Sequence, residues 1–149
     1  MAGGYSKKIK GVIVGGLSVP ILTPEELEKG NGMKMDYESC AEYGTSLGSG
    51  GVMVISDKFS IPEITARTIQ FYNHESCGQC TPCRMGSGMI KLLLNKIVAG
   101  KGEKGDIDKI IWFCDNIKGN TLCPTGEAYS VPVKTMITKF RKDFEALIK

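Results

Sequence analysis

Between residues 77 and 83 the chain reads Cys77-Gly-Gln-Cys80-Thr-Pro-Cys83. Three thiols on so tight a pitch cannot each fill a separate place in a core. A loop of that spacing turns its sulfurs toward one shared centre. Gly78 frees the backbone to curl, and Pro82 stiffens the last turn before a helix that Cys83 can open. The dipole at that helix N-terminus favours negative thiolates, and Arg84 adds a positive charge beside them. The N-terminal stretch Met-Ala-Gly-Gly-Tyr-Ser-Lys-Lys lacks the apolar block of a secretory signal. The expected setting is therefore the cytoplasm, where clustered thiols hold metal rather than form disulfides.

Structural zinc usually takes two cysteine pairs, and no second C-x2-C occurs here. A three-cysteine run completed by one distant ligand is the habit of iron–sulfur clusters, and thiolates suit iron. No fourth cysteine follows within a few residues and no second run exists, so a single cluster is expected. The distant ligand must be Cys40, Cys114 or Cys123. Cys114 lies on the apolar stripe of a helix and Cys40 on the inward face of a short one, so both read as core. Cys123 lies between helices, in Gly119-Asn-Thr-Leu-Cys-Pro124, free to turn toward a site. The 39 residues between Cys83 and Cys123 are enough for two helices to run out and return, so Cys123 is the expected fourth donor.

The remainder divides by texture. Lys10 to Gly16 and Gly51 to Ser56 are β-branched runs bounded by glycine, which predicts two buried strands. Thr23-Pro-Glu-Glu26 has the pattern of a capping box, and Asp36 to Gly44 predicts a second brief helix. From Ser60 onward the period becomes helical. Ile61, Ile64, Thr68 and Tyr72 share one face. Met85, Met89, Leu92, Leu93, Lys96 and Ile97 give the next stripe, and both methionines read as core. Asp106 is expected to cap a third helix carrying Ile107, Ile110, Ile111, Cys114 and Ile117. Thr125 is expected to cap a fourth, kinked or restarted at Pro132, that ends in a stripe from Val133 to Ile148. The fold class is thus α+β. A small module over residues 1–59 precedes a helical domain over 60–149 built as a four-helix bundle.

Apolar residues make up 42% and charged residues 23% of the 149, the balance of a folded soluble protein. No apolar stretch reaches the length of a bilayer, since Ile90 to Ala99 is broken by Lys91 and Lys96. Residues 61–149 hold 13 Lys/Arg against 9 Asp/Glu, so the cysteine-rich part is the basic one. Lys139, Arg141 and Lys142 read as a solvated charged face, and the aromatic clustering of a nucleic-acid binder is missing. His74, the only histidine, reads as a rim or packing residue.

Glu75-Ser-Cys-Gly-Gln-Cys-Thr-Pro-Cys-Arg84, followed by Leu122-Cys123, resembles the C-terminal part of the NADH-binding flavoprotein subunits of NADH:quinone oxidoreductase (complex I) and of related NAD-linked diaphorases. Gly15 to Pro20 and Gly44 to Val54 resemble the soluble-ligand-binding β-grasp module of those subunits. The resemblance implies one [4Fe-4S] cluster on Cys77, Cys80, Cys83 and Cys123, taking electrons from reduced FMN and passing them to the next iron–sulfur centre. It further implies a peripheral place on the cytoplasmic face of the inner membrane, beside a thioredoxin-like [2Fe-2S] subunit and a larger iron–sulfur subunit. FMN and NADH belong to a domain that precedes these modules in the family. No glycine-rich phosphate loop runs from strand to helix here, so NADH oxidation by this chain alone is not expected. Two alternatives stay open: the electron-relay part of a hydrogenase or formate dehydrogenase diaphorase, and a zinc-stapled interaction module. A small-molecule ligand for the β-grasp module is a third reading. Tight turns explain its glycines more simply.

Overall fold

A computed structural model describes residues 5–29 and 32–148. The first four residues of the expected 1–59 module lie outside the described residues. Strand β1 (Ile9–Val14) is the centre of a three-stranded antiparallel sheet ordered β2-β1-β3, with β2 at Ile21–Leu22 and β3 at Val52–Ser56. The two-residue β2 was not legible, being too short to show a period. Helix α1 (Pro24–Leu27) starts at a complete Thr23/Glu26 capping box, and α2 (Tyr37–Glu42) starts at Asp36, whose side chain accepts from Ser39 N. Both caps satisfy backbone donors that a helix start leaves free.

Four longer helices follow: α3 (Ile61–Glu75), α4 (Thr81–Val98), α5 (Asp106–Ile117) and α6 (Thr125–Lys139), with a short α7 (Arg141–Glu145) behind them. One face of the sheet joins their core, because Ile13, Val19, Ile21 and Ile55 pack in the same buried cluster as Ile69, Leu94, Ile110, Val133 and Ile137. The opposite face carries a smaller cluster of Val12, Val14, Leu22 and Cys40. No helix among the described residues is long and apolar enough to cross a membrane.

Several sequence expectations are corrected. Met85, Met89 and Leu92 are exposed, and α4 buries Cys83, Gly86, Ser87, Ile90, Leu93, Leu94 and Ile97 instead. Both stripes have helical spacing. The buried one includes small residues that let a neighbouring helix come close, which hydrophobicity alone does not weigh. A Cβ on Gly86 would stand 2.5 Å from Ile117 Cδ1, so α5 crosses α4 at that glycine. Pro132 sits buried inside a continuous α6, whose packing through Tyr129, Val133, Met136 and Ile137 outweighs one lost helical hydrogen bond. Pro124, not Thr125, precedes the first helical residue of α6. Asp106 is the first residue of α5 and not its cap. It is buried, takes the Glu103 amide at 3.0 Å and pairs with Lys96 at 3.0 Å and Lys109 at 3.1 Å. Burial alone would push its carboxyl up, but that amide and the two ammoniums outweigh burial and hold it at about 2.

The charge run at the end of α6 is likewise not simply solvated. Lys139 is half-buried and donates to the Ile21 carbonyl at 2.6 Å and to Glu26 at 2.7 Å, and Arg141 reaches Asp108 and Glu145. In the first module the glycines serve backbone approach. Gly15 has φ +100°, and a Cβ there would lie 2.3 Å from the Ser46 carbonyl oxygen. The loop before β3 is thereby pressed onto the end of β1 without a side chain between.

The helix crossing gives a direct test. Gly86→Ala is expected to cost about 1–3 kcal/mol in urea unfolding, as overpacking against Ile117. Gly88→Ala, where the nearest side-chain atom is 3.9 Å away, should be neutral or stabilising.

Candidate metal centre

Helix α3 ends at Glu75, and Ser76 then leaves the helix with ψ 127°. Gly78, at φ +76°, turns the chain back toward α4. Cys80 occupies the N-cap position of α4, where a side chain ordinarily accepts a backbone N–H. Its sulfur makes no capping bond to its own helix. It accepts instead the Leu122 N–H at 3.4 Å, from the loop 42 residues further on. The distant loop is therefore seated directly on the cysteine run.

Cys83 lies in the first turn of α4, buried, with its Sγ 3.3 Å from the Ser76 hydroxyl. The same hydroxyl accepts the Gly78 amide at 3.3 Å. From the far side, the buried Tyr129 of α6 donates its hydroxyl to the Cys83 carbonyl at 3.0 Å. Burial pushes that phenol well above its ordinary range, so it is a permanent donor. Arg84 turns back under the loop and donates its guanidinium to the Gly78 carbonyl.

The second loop is built as firmly. Gly119 N donates to the Glu127 carboxylate at 3.1 Å, and Thr121 Oγ1 donates to the Cys123 carbonyl at 2.9 Å. Gly126 brings the start of α6 so close to Thr121 that a Cβ would stand 2.7 Å from its side chain. Cys123 is exposed, 3.4 Å from Thr125 Oγ1. The hydroxyl and amide of Thr125 pull its thiol below the ordinary value.

Of the expected donors, then, Cys77 and Cys123 are exposed, Cys80 is half-buried and Cys83 is buried. The fold brings the 119–124 loop to Cys80. As they stand, no three His, Cys, Asp or Glu side chains among the described residues form a closed metal cage. The donor chemistry nevertheless fits an iron–sulfur group. Cys80 is released from capping, a backbone N–H is already turned on its sulfur, and all four candidates are thiols, which suits soft iron. Cys114 and Cys40 are fully buried in apolar clusters, and burial pushes the Cys114 thiol up to about 12. His74 is exposed and faces Glu75 at 3.0 Å. Ser76, Leu122 and Tyr129 were not legible as site residues. Each acts through a backbone group or a hydroxyl that no spacing pattern marks.

In metal-free protein, iodoacetamide should label Cys77 and Cys123 first and Cys40 and Cys114 only on unfolding, read by peptide mass. Thr125→Val should slow labelling of Cys123 at pH 7–8 by removing a donor to its thiolate.

Comparison with known proteins places this arrangement in context. The model of the NADH-ubiquinone oxidoreductase-F iron-sulfur binding region matches residues 63–147. The NADH-quinone oxidoreductase F 2 protein of Rhizobium meliloti (strain 1021) is 41% identical over 143 residues, covering 96% of this chain and 33% of the relative. The NADH-quinone oxidoreductase F protein of Rickettsia massiliae (strain Mtu5) is 39% identical over 147 residues, covering 99% of this chain and 34% of its own length. The chain thus spans about a third of the curated relatives it matches. Among solved structures, an NAD+-reducing [NiFe]-hydrogenase in the H2-reduced state superposes with a TM-score of 0.82 at 26% identity, over 96% of this chain and 24% of that one.

Proposed function

The chain belongs to the family of NADH-ubiquinone oxidoreductase-F iron-sulfur binding regions, and on that premise we propose that its [4Fe-4S] cluster is held by Cys77, Cys80, Cys83 and Cys123 and serves as an electron relay. The observation that carries the ligand set is the Leu122 amide on Cys80 Sγ, which seats the Cys123 loop against the cysteine run. When bound, the cluster supplies one-electron chemistry that can divide the electron pair of a reduced flavin. The FMN and NADH sites lie in the portion of the family's proteins that this chain does not span. With the cluster in place, electrons would pass to the next iron–sulfur centre, in partners read as a thioredoxin-like [2Fe-2S] subunit and a larger iron–sulfur subunit at the cytoplasmic face of the membrane. The similarity to the hydrogenase supports a diaphorase-type assembly as a second setting for the same relay.

We read residues 1–59 as a β-grasp-like module and 60–149 as the cluster domain, with α3 to α6 as a four-helix bundle. The protein's own residues set the conditions. Tyr129 and Ser76 fix the backbone and sulfur of Cys83, so the first turn of α4 is held before any group is bound. The Leu122 amide offers a donor toward the Cys80 sulfur, which favours the more negative, electron-rich state. Arg84, tied to the Gly78 carbonyl, holds its positive charge at the same turn.

Two outcomes test this reading. Anaerobically reconstituted protein should contain iron and acid-labile sulfide in equal amounts and be brown, where a zinc module would be colourless. Cys123→Ala should lose cluster absorbance and thermal stability together, because cluster binding energy is folding energy for the two loops, while Cys114→Ala should retain the absorbance. The opposite result would overturn the ligand set. Separately, Arg84→Gln should lower the midpoint potential in an EPR-monitored redox titration and Arg84→Lys should largely preserve it. An unchanged or raised potential in the glutamine variant would remove Arg84 from the tuning role.

A further inference from the structure

Behind Cys83 a line of polar side chains joins three helices. Lys91 and Ser87 lie one turn apart on α4, Asn73 lies on α3 and Tyr129 on α6. Lys91 Nζ donates to Asn73 Oδ1 at 3.1 Å, and Asn73 Nδ2 donates to Ser87 Oγ at 3.0 Å. The Ser87 proton faces the Arg84 carbonyl at 3.3 Å, with the Tyr129 phenol oxygen beside it. Tyr129 closes the line on the Cys83 carbonyl at 3.0 Å. Ser87 and Tyr129 are fully buried. Apolar side chains would fill the same space without the cost of taking hydroxyls out of water.

The line has one direction. An ammonium can only donate, so Lys91 holds the oxygen of the Asn73 amide toward itself and turns the NH2 group to Ser87. Ser87 Oγ, having accepted that bond, spends its own proton onward, at the first turn of α4. Tyr129 spends its proton there too. The positive end of each bond thus points to the turn that carries Cys83. Lys91 forms no ion pair among the described residues, so a whole positive charge stands behind those dipoles. In a buried setting such dipoles are screened less than in water.

We propose that Lys91, Asn73, Ser87 and Tyr129 are positioning residues for the electron relay, which aim positive ends at the Cys83 turn and raise the midpoint potential of the cluster. A reduced cluster is more negative than an oxidised one, so positive ends fixed beside a ligand favour the reduced state. The inference rests on the reading of Cys83 as a cluster ligand.

The test is an EPR-monitored redox titration of the reconstituted chain, with iron and sulfide counted in each variant. Tyr129→Phe keeps the ring and removes the hydroxyl. Lys91→Met keeps the stem and removes the charge at a half-buried position. Each should hold its iron and lower the midpoint potential, by at least about threefold in the oxidised-to-reduced ratio at a fixed potential. Lys91→Arg should keep the wild-type value. The double variant should shift less than the sum of the two, because both act through one line. Tyr72→Phe removes a hydroxyl that faces Ser18, on a ring 5.9 Å from that of Tyr129, and should leave the potential unchanged. If Tyr129→Phe loses iron, Lys91→Met alone decides. An unchanged or raised potential in an iron-replete variant of Tyr129 or Lys91, strict additivity, or an equal shift from Tyr72→Phe would each overturn the proposal. Retention of the cluster by Cys83→Ala would instead overturn the ligand reading on which the line depends, an outcome read from iron content and not from potential.

Discussion

Leu122 N–H pointing at Cys80 Sγ closes a loop of some forty residues, and much of the molecule can be understood as what makes that closure possible. Bringing together two segments so far apart costs chain entropy, which a single weak hydrogen bond to sulfur cannot offset. The offset comes from α4, α5 and α6. Ile117 packs into the space left at Gly86, and the start of α6 packs onto Thr121 and Ile117 through Gly126. Small residues at these crossings set where the 119–124 loop must land, and Tyr129 then locks the first turn of α4 from the opposite side.

The sheet is coupled to this arrangement and not merely appended to it. Its inner face lies in the same buried cluster as the helices, and Lys139 and Asp143, near the C-terminal end, reach back to Ile21 and Lys10. Burial of a single core across both parts gives a basis for transmitting strain between the sheet and the cysteine-bearing helices.

Legibility differed by the kind of signal involved. Caps at Thr23 and Asp36 were readable because the side chain and the amide it serves lie three residues apart. The cysteine run and the core character of Cys40 and Cys114 were readable for the same reason, spacing within one element. The buried side of α4 was misread, since two small residues, Gly86 and Ser87, lie on the covered face while Met85, Met89 and Leu92 lie on the exposed one. Lys139 was read as solvated because its partners, Ile21 and Glu26, are more than a hundred residues away.

Local chemistry in the chain by itself determined the longer elements, the cysteine run and the family, because each depends on residues near one another in sequence. Tertiary packing alone decided which face of α4 is covered, that Cys80 gives its sulfur to a remote amide instead of its own helix, and that Lys139 reaches the Ile21 carbonyl and Glu26. Those outcomes are set by contacts between distant residues, and the energy of such contacts depends on how closely the helices approach. No periodicity records that distance.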